Sequence, residues 1–293
     1  MAEVVTQPTA LARALFSAYR FYDYDGITVF TDTVVEAEAM GAQVIIPEDE
    51  DPFLLMPPQV SRLEPADPDR DGRMPVVLEA ILRLSELTGG RATILGSLKG
   101  PFSLASMLAG TERFLIDLIG QPDRARDFLL VATENQRRYL SAIVRSGAVP
   151  FIGDPVASGS VISPEQFSNF AQPYLKRLVE DAHSMGSPVG LHVCGDTSRI
   201  LGQLFGTGAD FVSIEDVRLV SVYPELDGKA TIMGGVSTTL LLDGTAEDVQ
   251  AEVRRSLELR LSRLILSSGC DVPVQTPFEN IRAMVAAVRE WSS

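Results

Sequence analysis

Apolar residues along this chain switch repeatedly between helical spacing and short unbroken runs, and that alternation is the main signal of its fold. Residues 10–22 carry Leu11, Ala14, Leu15, Ala18 and Tyr19 on one stripe and read as a helix. A buried strand over 26–32 ends in Asp32, and a short helix over 33–40 stops at Gly41. Residues 43–47 read as a short strand. The stretch 48–75, rich in Pro, Asp and Glu, reads as a loop excursion. Helical spacing returns over 75–88, 102–119, 122–146, 163–185, 198–206, 245–258 and 277–291. Between these lie strand-like runs at 92–98, 149–155, 191–196, 211–216, 231–236 and 263–267. Ser163 followed by Pro164 is an N-cap with proline at the first helical position, and Thr245-Ala-Glu-Asp opens like a capping box.

Short continuous apolar strands, each followed by a helix, are the pattern of parallel strands covered on both faces. Together with the strand at 26–32 they predict a (β/α)8 TIM-type barrel, with residues 1–293 as a single domain. An open doubly wound sheet is the alternative. No Gly-x-Gly-x-x-Gly turn supports it, and the chemistry-bearing residues fall at strand C-terminal ends, where barrel active sites collect. The eighth strand is not evident. Either 43–47 supplies it, or the barrel lacks the usual N-terminal first strand.

Composition narrows the classes further. An apolar fraction of 45% suffices for a large core. No apolar run approaches the roughly 18 residues of a membrane span, and the start has no basic segment leading into an apolar one, so a cytoplasmic protein is expected. A net charge of −14 without a basic cluster argues against nucleic acid or an anionic membrane as partner. Oligomeric state is not legible.

The chain has 2 cysteines and 2 histidines. One of each stands in Leu191-His-Val-Cys-Gly-Asp196, and the other cysteine is Cys270, after a later apolar run. On a strand, positions i and i+2 share a face, so His192 and Cys194 can reach one point. Two soft thiolates and an imidazole suit zinc, which takes Cys, His and carboxylate ligands. We therefore expect a zinc site on His192, Cys194 and Cys270, with Glu215 from the strand between them as a fourth, displaceable ligand. Buried cysteines often only pack, and a Cys194–Cys270 disulfide is open on sequence alone, although nothing marks the chain as secreted. Asp32 and Asp154 are further candidates at strand ends, Asp32 as a catalytic group and Asp154 as a cofactor contact or a residue of a Gly-Asp-Pro turn. Asp196 could bond the imidazole or cap the next helix. Gly234-Gly235 would let a cofactor approach the backbone, or would serve packing.

These segments resemble the uroporphyrinogen decarboxylase superfamily, and within it the corrinoid:thiol (coenzyme M type) methyltransferases. The resemblance is carried by Asp32-Thr-Val-Val-Glu-Ala-Glu-Ala-Met-Gly41, Gly153-Asp-Pro-Val-Ala-Ser-Gly159, Leu191-His-Val-Cys-Gly-Asp196, Ser213-Ile-Glu-Asp216, Ile232-Met-Gly-Gly-Val236 and Ser268-Gly-Cys-Asp-Val-Pro273. It implies that His192, Cys194 and Cys270 hold zinc. A similarity of the same order of residues to cobalamin-independent methionine synthase implies that Glu215 binds it too. Family members usually carry a further N-terminal segment with the first barrel strand, and this chain begins after that segment.

The function so implied is a zinc-dependent methyltransferase working between a methyl-corrinoid on a partner protein and a small thiol such as coenzyme M. A free thiol is mostly protonated at neutral pH, and zinc holds the substrate sulfur as a nucleophilic thiolate. Two alternatives stay open. One is a uroporphyrinogen-type decarboxylase using Asp32, disfavoured because true decarboxylases lack the His-x-Cys and Cys set. The other is a non-catalytic zinc-containing subunit that docks a corrinoid protein.

Overall fold

The computed structural model describes residues 1–60 and 62–292. Its principal sheet has seven strands, all parallel: β1 (Gly26–Val29), β4 (Thr93–Lys99), β5 (Val149–Gly153), β6 (Gly190–His192), β7 (Phe211–Ser213), β8 (Thr231–Val236) and β9 (Leu264–Ser268). They lie side by side in that order, with helices between successive strands, in a curled sheet of TIM-barrel type. The barrel expectation is thus borne out, with β1 and β9 at the edges of the sheet.

Residues 43–47 do not supply an eighth strand. β2 (Gln43–Ile45) pairs antiparallel with β3 (Phe53–Met56) in a separate two-stranded ribbon. The stretch 48–75 is accordingly not all loop. β3 escapes a pattern reading because Phe53, Leu55 and Met56 are exposed, so its apolar run marks no core face. The helix expected over 102–119 is two helices, Pro101–Ala109 and Thr111–Gly120, broken where Gly110 takes a φ of +82°. The segment after Glu215, to which the apolar pattern assigns no element, is helical at Arg218–Val222. Both expected N-caps are present: Ser163 with Gln166 and Thr245 with Asp248 form capping boxes.

Alternation along the strands divides the sheet into two faces. Ile27, Val29, Ile94, Leu98, Ile152, Leu191, Val212 and Ile232 are buried under the helices. Those helices answer with apolar stripes at helical spacing, such as Met74, Val77, Ile81 and Leu84 of Met74–Thr88. The opposite face lines the barrel interior. There Phe151 and Phe211 stack at 5.7 Å across Gly190, where a β-carbon would strike the Phe211 ring at 2.0 Å. One layer nearer the strand C-termini, parallel register aligns Lys99, Gly153, His192 and Ser213 in a single row.

Candidate metal centre

His192 is the last residue of β6, and Cys194 lies just beyond it in the turn made by Gly195, whose φ is +71°. The turn is anchored by the Ser158 hydroxyl, which donates to the Cys194 carbonyl at 2.7 Å. Cys270 follows β9, where the Gly269 amide donates to the Val236 carbonyl at 2.8 Å. Two strand ends distant in sequence, those of β6 and β9, thus converge. His192 Nε2 lies 3.1 Å from Cys194 Sγ, the two sulfurs are 3.5 Å apart, and Cys270 Sγ is 3.6 Å from His192 Nε2. The cysteines are free thiols, not a disulfide.

A tetrahedral zinc with Zn–S about 2.3 Å and Zn–N about 2.0 Å spaces its donor atoms about 3.6–3.8 Å apart. The triangle here is close to that and slightly contracted, and its three donors lie within 4.8 Å of one another. Donor chemistry and spacing therefore both fit zinc. The two sulfurs sit in opposite electrostatic settings. Hydrogen bonds from Cys194 and His192 hold the Cys270 thiol well below its ordinary range, while donating to Cys270 and burial push Cys194 up. A thiol that loses its proton readily is a ready metal ligand.

Pattern reading gave Ser213 no role. Paired in register with His192, it places its hydroxyl 3.0 Å from His192 Nδ1. That contact directs Nε2 toward the sulfurs, as partners behind metal-bound imidazoles do. Its signal was the strand register itself. The Phe151 ring, 6.3 Å from the imidazole, walls the site from below.

The other expected residues take varied places. Glu215 is not among the donors gathered within 4.8 Å, but it adjoins the Cys270 segment: a β-carbon on Gly269 would meet the Glu215 Cγ at 3.0 Å. Asp32 is buried and gripped at both carboxylate oxygens by Arg73, the longer contact being 3.1 Å. It also accepts from the Val34 amide at 3.0 Å. Asp154 is fully buried and faces the start of the helix Pro101–Ala109. It accepts from the Ser103 amide at 2.7 Å, the Ser103 hydroxyl at 2.5 Å and the Phe102 amide at 3.3 Å. Burial raises its pKa to about 6. Asp196 accepts from the Ser198 amide at 2.9 Å, a local turn contact rather than one to the imidazole. At Gly234 and Gly235, φ is +139° and +117°, and a β-carbon would collide with the Ile214 carbonyl or crowd Ser256. The close approach at these glycines is to the protein's own chain.

The family model for uroporphyrinogen decarboxylase (URO-D) matches residues 1–291. The chain belongs to this family. Among its relatives, the methylcobamide:CoM methyltransferase MtaA of Methanosarcina barkeri is 31% identical over 99% of this chain and 86% of its own length. A methylated-thiol–coenzyme M methyltransferase of Methanosarcina mazei is 30% identical over 88% of this chain and 71% of its own. A uroporphyrinogen decarboxylase of Prochlorococcus marinus is 28% identical over 90% and 78%. A solved methyltransferase structure from Methanosarcina mazei superposes with a TM-score of 0.89 at 30% identity, covering 99% of this chain and 88% of that one. The family resemblance expected from the motifs is borne out. Among the described residues, no helix is long and apolar enough to cross a membrane.

Proposed function

We propose that this URO-D family member is a zinc-dependent methyltransferase that moves a methyl group between a methyl-corrinoid carried by a partner protein and a small thiol. The observation that carries the reading is the triangle of His192 Nε2, Cys194 Sγ and Cys270 Sγ at the C-terminal ends of the barrel strands. The methyltransferase relatives support it. Zinc, held by these three residues, would supply Lewis acidity that keeps a substrate thiol deprotonated at neutral pH. The chain's own part is to fix three donors, orient the imidazole through Ser213, and leave a face of the site open. Glu215, next to the Cys270 segment, is the resting fourth ligand in this reading and yields to the incoming thiol. Asp154 and Gly234-Gly235 would shape the mouth presented to the corrinoid, Asp154 by holding the helix Pro101–Ala109. Asp32 would act from a distance, by fixing Arg73 and the segment after β1. The working compartment would be the cytoplasm.

The test is zinc content of the purified protein and of Cys270→Ala, paired with methylcobalamin-to-thiol transfer followed by the change in cobalt absorbance. Stoichiometric zinc that is lost with activity in the variant supports the reading. Transfer that persists without metal overturns it. Metal-free activity on uroporphyrinogen that depends on Asp32 would replace it with the decarboxylase reading.

A further inference from the structure

Cys194 and Cys270 are the chain's only cysteines, 76 residues apart in sequence, and their sulfurs lie 3.5 Å apart. Both are half-buried free thiols, within reach of a small oxidant. A disulfide draws two sulfurs to about 2.05 Å. The pair at 3.5 Å is therefore about 1.5 Å short of bonding distance. No other thiol in the chain competes for either sulfur.

The two cysteines are held very differently. The Cys194 carbonyl accepts from the Ser158 hydroxyl at 2.7 Å, and the Asp196 amide donates to the Ser160 hydroxyl at 3.2 Å. A β-carbon on Gly159 would strike the Asp196 carbonyl at 2.7 Å, so the two turns lie hard against each other. Cys270 follows β9, an edge strand paired only with β8 and with no buried residue in its middle three positions. Among the described residues, Cys270, Asp271 and Val272 make no backbone–backbone hydrogen bond, and Asp271, Val272 and Val274 are exposed. Cys194 is thus the anchored sulfur, and Cys270 leads a segment with little to stop it closing the remaining gap.

We propose that Cys194 and Cys270 are also an oxidative modification site, which a hydroperoxide closes into a reversible disulfide that shuts the metal centre. One thiol attacks the O–O bond of the peroxide, keeping one oxygen as a sulfenic acid while the other leaves as water. The second thiol then attacks that sulfur: the S–S bond forms, the S–O bond breaks and a second water leaves. The two thiols together give up two hydrogens and two electrons, and the peroxide is reduced. Zinc and the disulfide exclude each other, because a tetrahedral ion needs two separate thiolates about 3.8 Å apart. The modification stands on the sulfur geometry alone, and its effect on the metal rests on the zinc reading.

Hydrogen peroxide treatment of the full chain tests it, once after zinc removal by a chelator and once in the zinc-loaded form, followed by intact mass and free-thiol titration. The metal-free protein should lose both thiols and about 2 Da per chain, without disulfide-linked dimers on a non-reducing gel. It should then fail to take up zinc, and dithiothreitol should restore both the thiols and zinc uptake. Zinc bound beforehand should slow the loss of thiols. Cys194→Ser and Cys270→Ser, each left with one sulfur, should instead gain about 16 or 32 Da. A native protein that gains such oxygen mass without losing about 2 Da overturns the proposal, as does a product that is mainly linked dimer. Zinc uptake unchanged after the thiols are lost also overturns it. A disulfide that forms and reverses in a protein that binds no zinc when reduced would keep the modification site and sink the zinc reading instead.

Discussion

Arg73 grips both carboxylate oxygens of Asp32, and the two side chains are 7% and 1% exposed. Glu38 accepts from the same guanidinium at 2.6 Å, so one buried cation ties the segment after β1 to the start of the helix Met74–Thr88. Removing Asp32 leaves a buried charge undercompensated. Asp32→Ala should cost about 3–5 kcal/mol of unfolding free energy by urea titration. The Asp32→Ala/Arg73→Met double variant should recover part of that loss. Additive losses would show that the pair is not coupled.

Ser213 offers a quieter test of the metal centre. Ser213→Ala removes the partner of His192 Nδ1 while leaving all three donors in place. Zinc affinity, measured by competition with a chromophoric chelator, should fall about 10- to 100-fold with little change in fold. Unchanged affinity would mean that packing alone orients the imidazole.

Glu215→Gln separates a ligand from a neighbour. If the carboxylate completes the resting site, the variant keeps zinc through His192, Cys194 and Cys270 but binds it about tenfold more weakly. The zinc X-ray absorption edge should also change. An identical spectrum and affinity would remove Glu215 from the coordination shell.

Asp154 predicts a pH dependence of stability. Burial lifts its folded pKa from 3.8 to about 6, so the native state holds a proton that the unfolded chain has already lost. Its contribution is full below pH 3.8 and is lost as the pH rises through about 6. The change is at most about 3 kcal/mol. Glu36, also raised by burial, acts with the same sign. Unfolding free energies measured from pH 4 to 7 should fall across this window, and Asp154→Asn should flatten the slope. Parallel profiles for the two proteins would assign the slope to other groups.

The cluster of His192, Cys194 and Cys270 is legible in the sequence for a simple reason. Cysteine and histidine are so scarce here that their fall at strand ends left few arrangements to consider. Asp32 and Asp154 stand out at strand ends in the sequence, but their partners do not. Arg73 stands 41 residues from Asp32, and Ser103 stands 51 from Asp154; no local pattern links them. Glu36 and Glu38, two residues apart on one helix, face different ways, one toward the Lys99 amide and the other toward Arg73.

Period and capping are local properties, set by backbone geometry over a few residues. They suffice to place most of the helices, seven strands and the barrel class, and ligand chemistry at the strand ends points to His192, Cys194 and Cys270. Long-range register is not a local property. Whether Gln43–Ile45 joins the barrel or pairs with Phe53–Met56 depends on which backbone edge is free, and both pairings satisfy the same short apolar run. Lys99 falls just outside the strand expected over 92–98, and only the alignment of β4, β5 and β6 sets it in one row with Gly153 and His192, because that row arises from the spacing between strands and not from the order of residues within one.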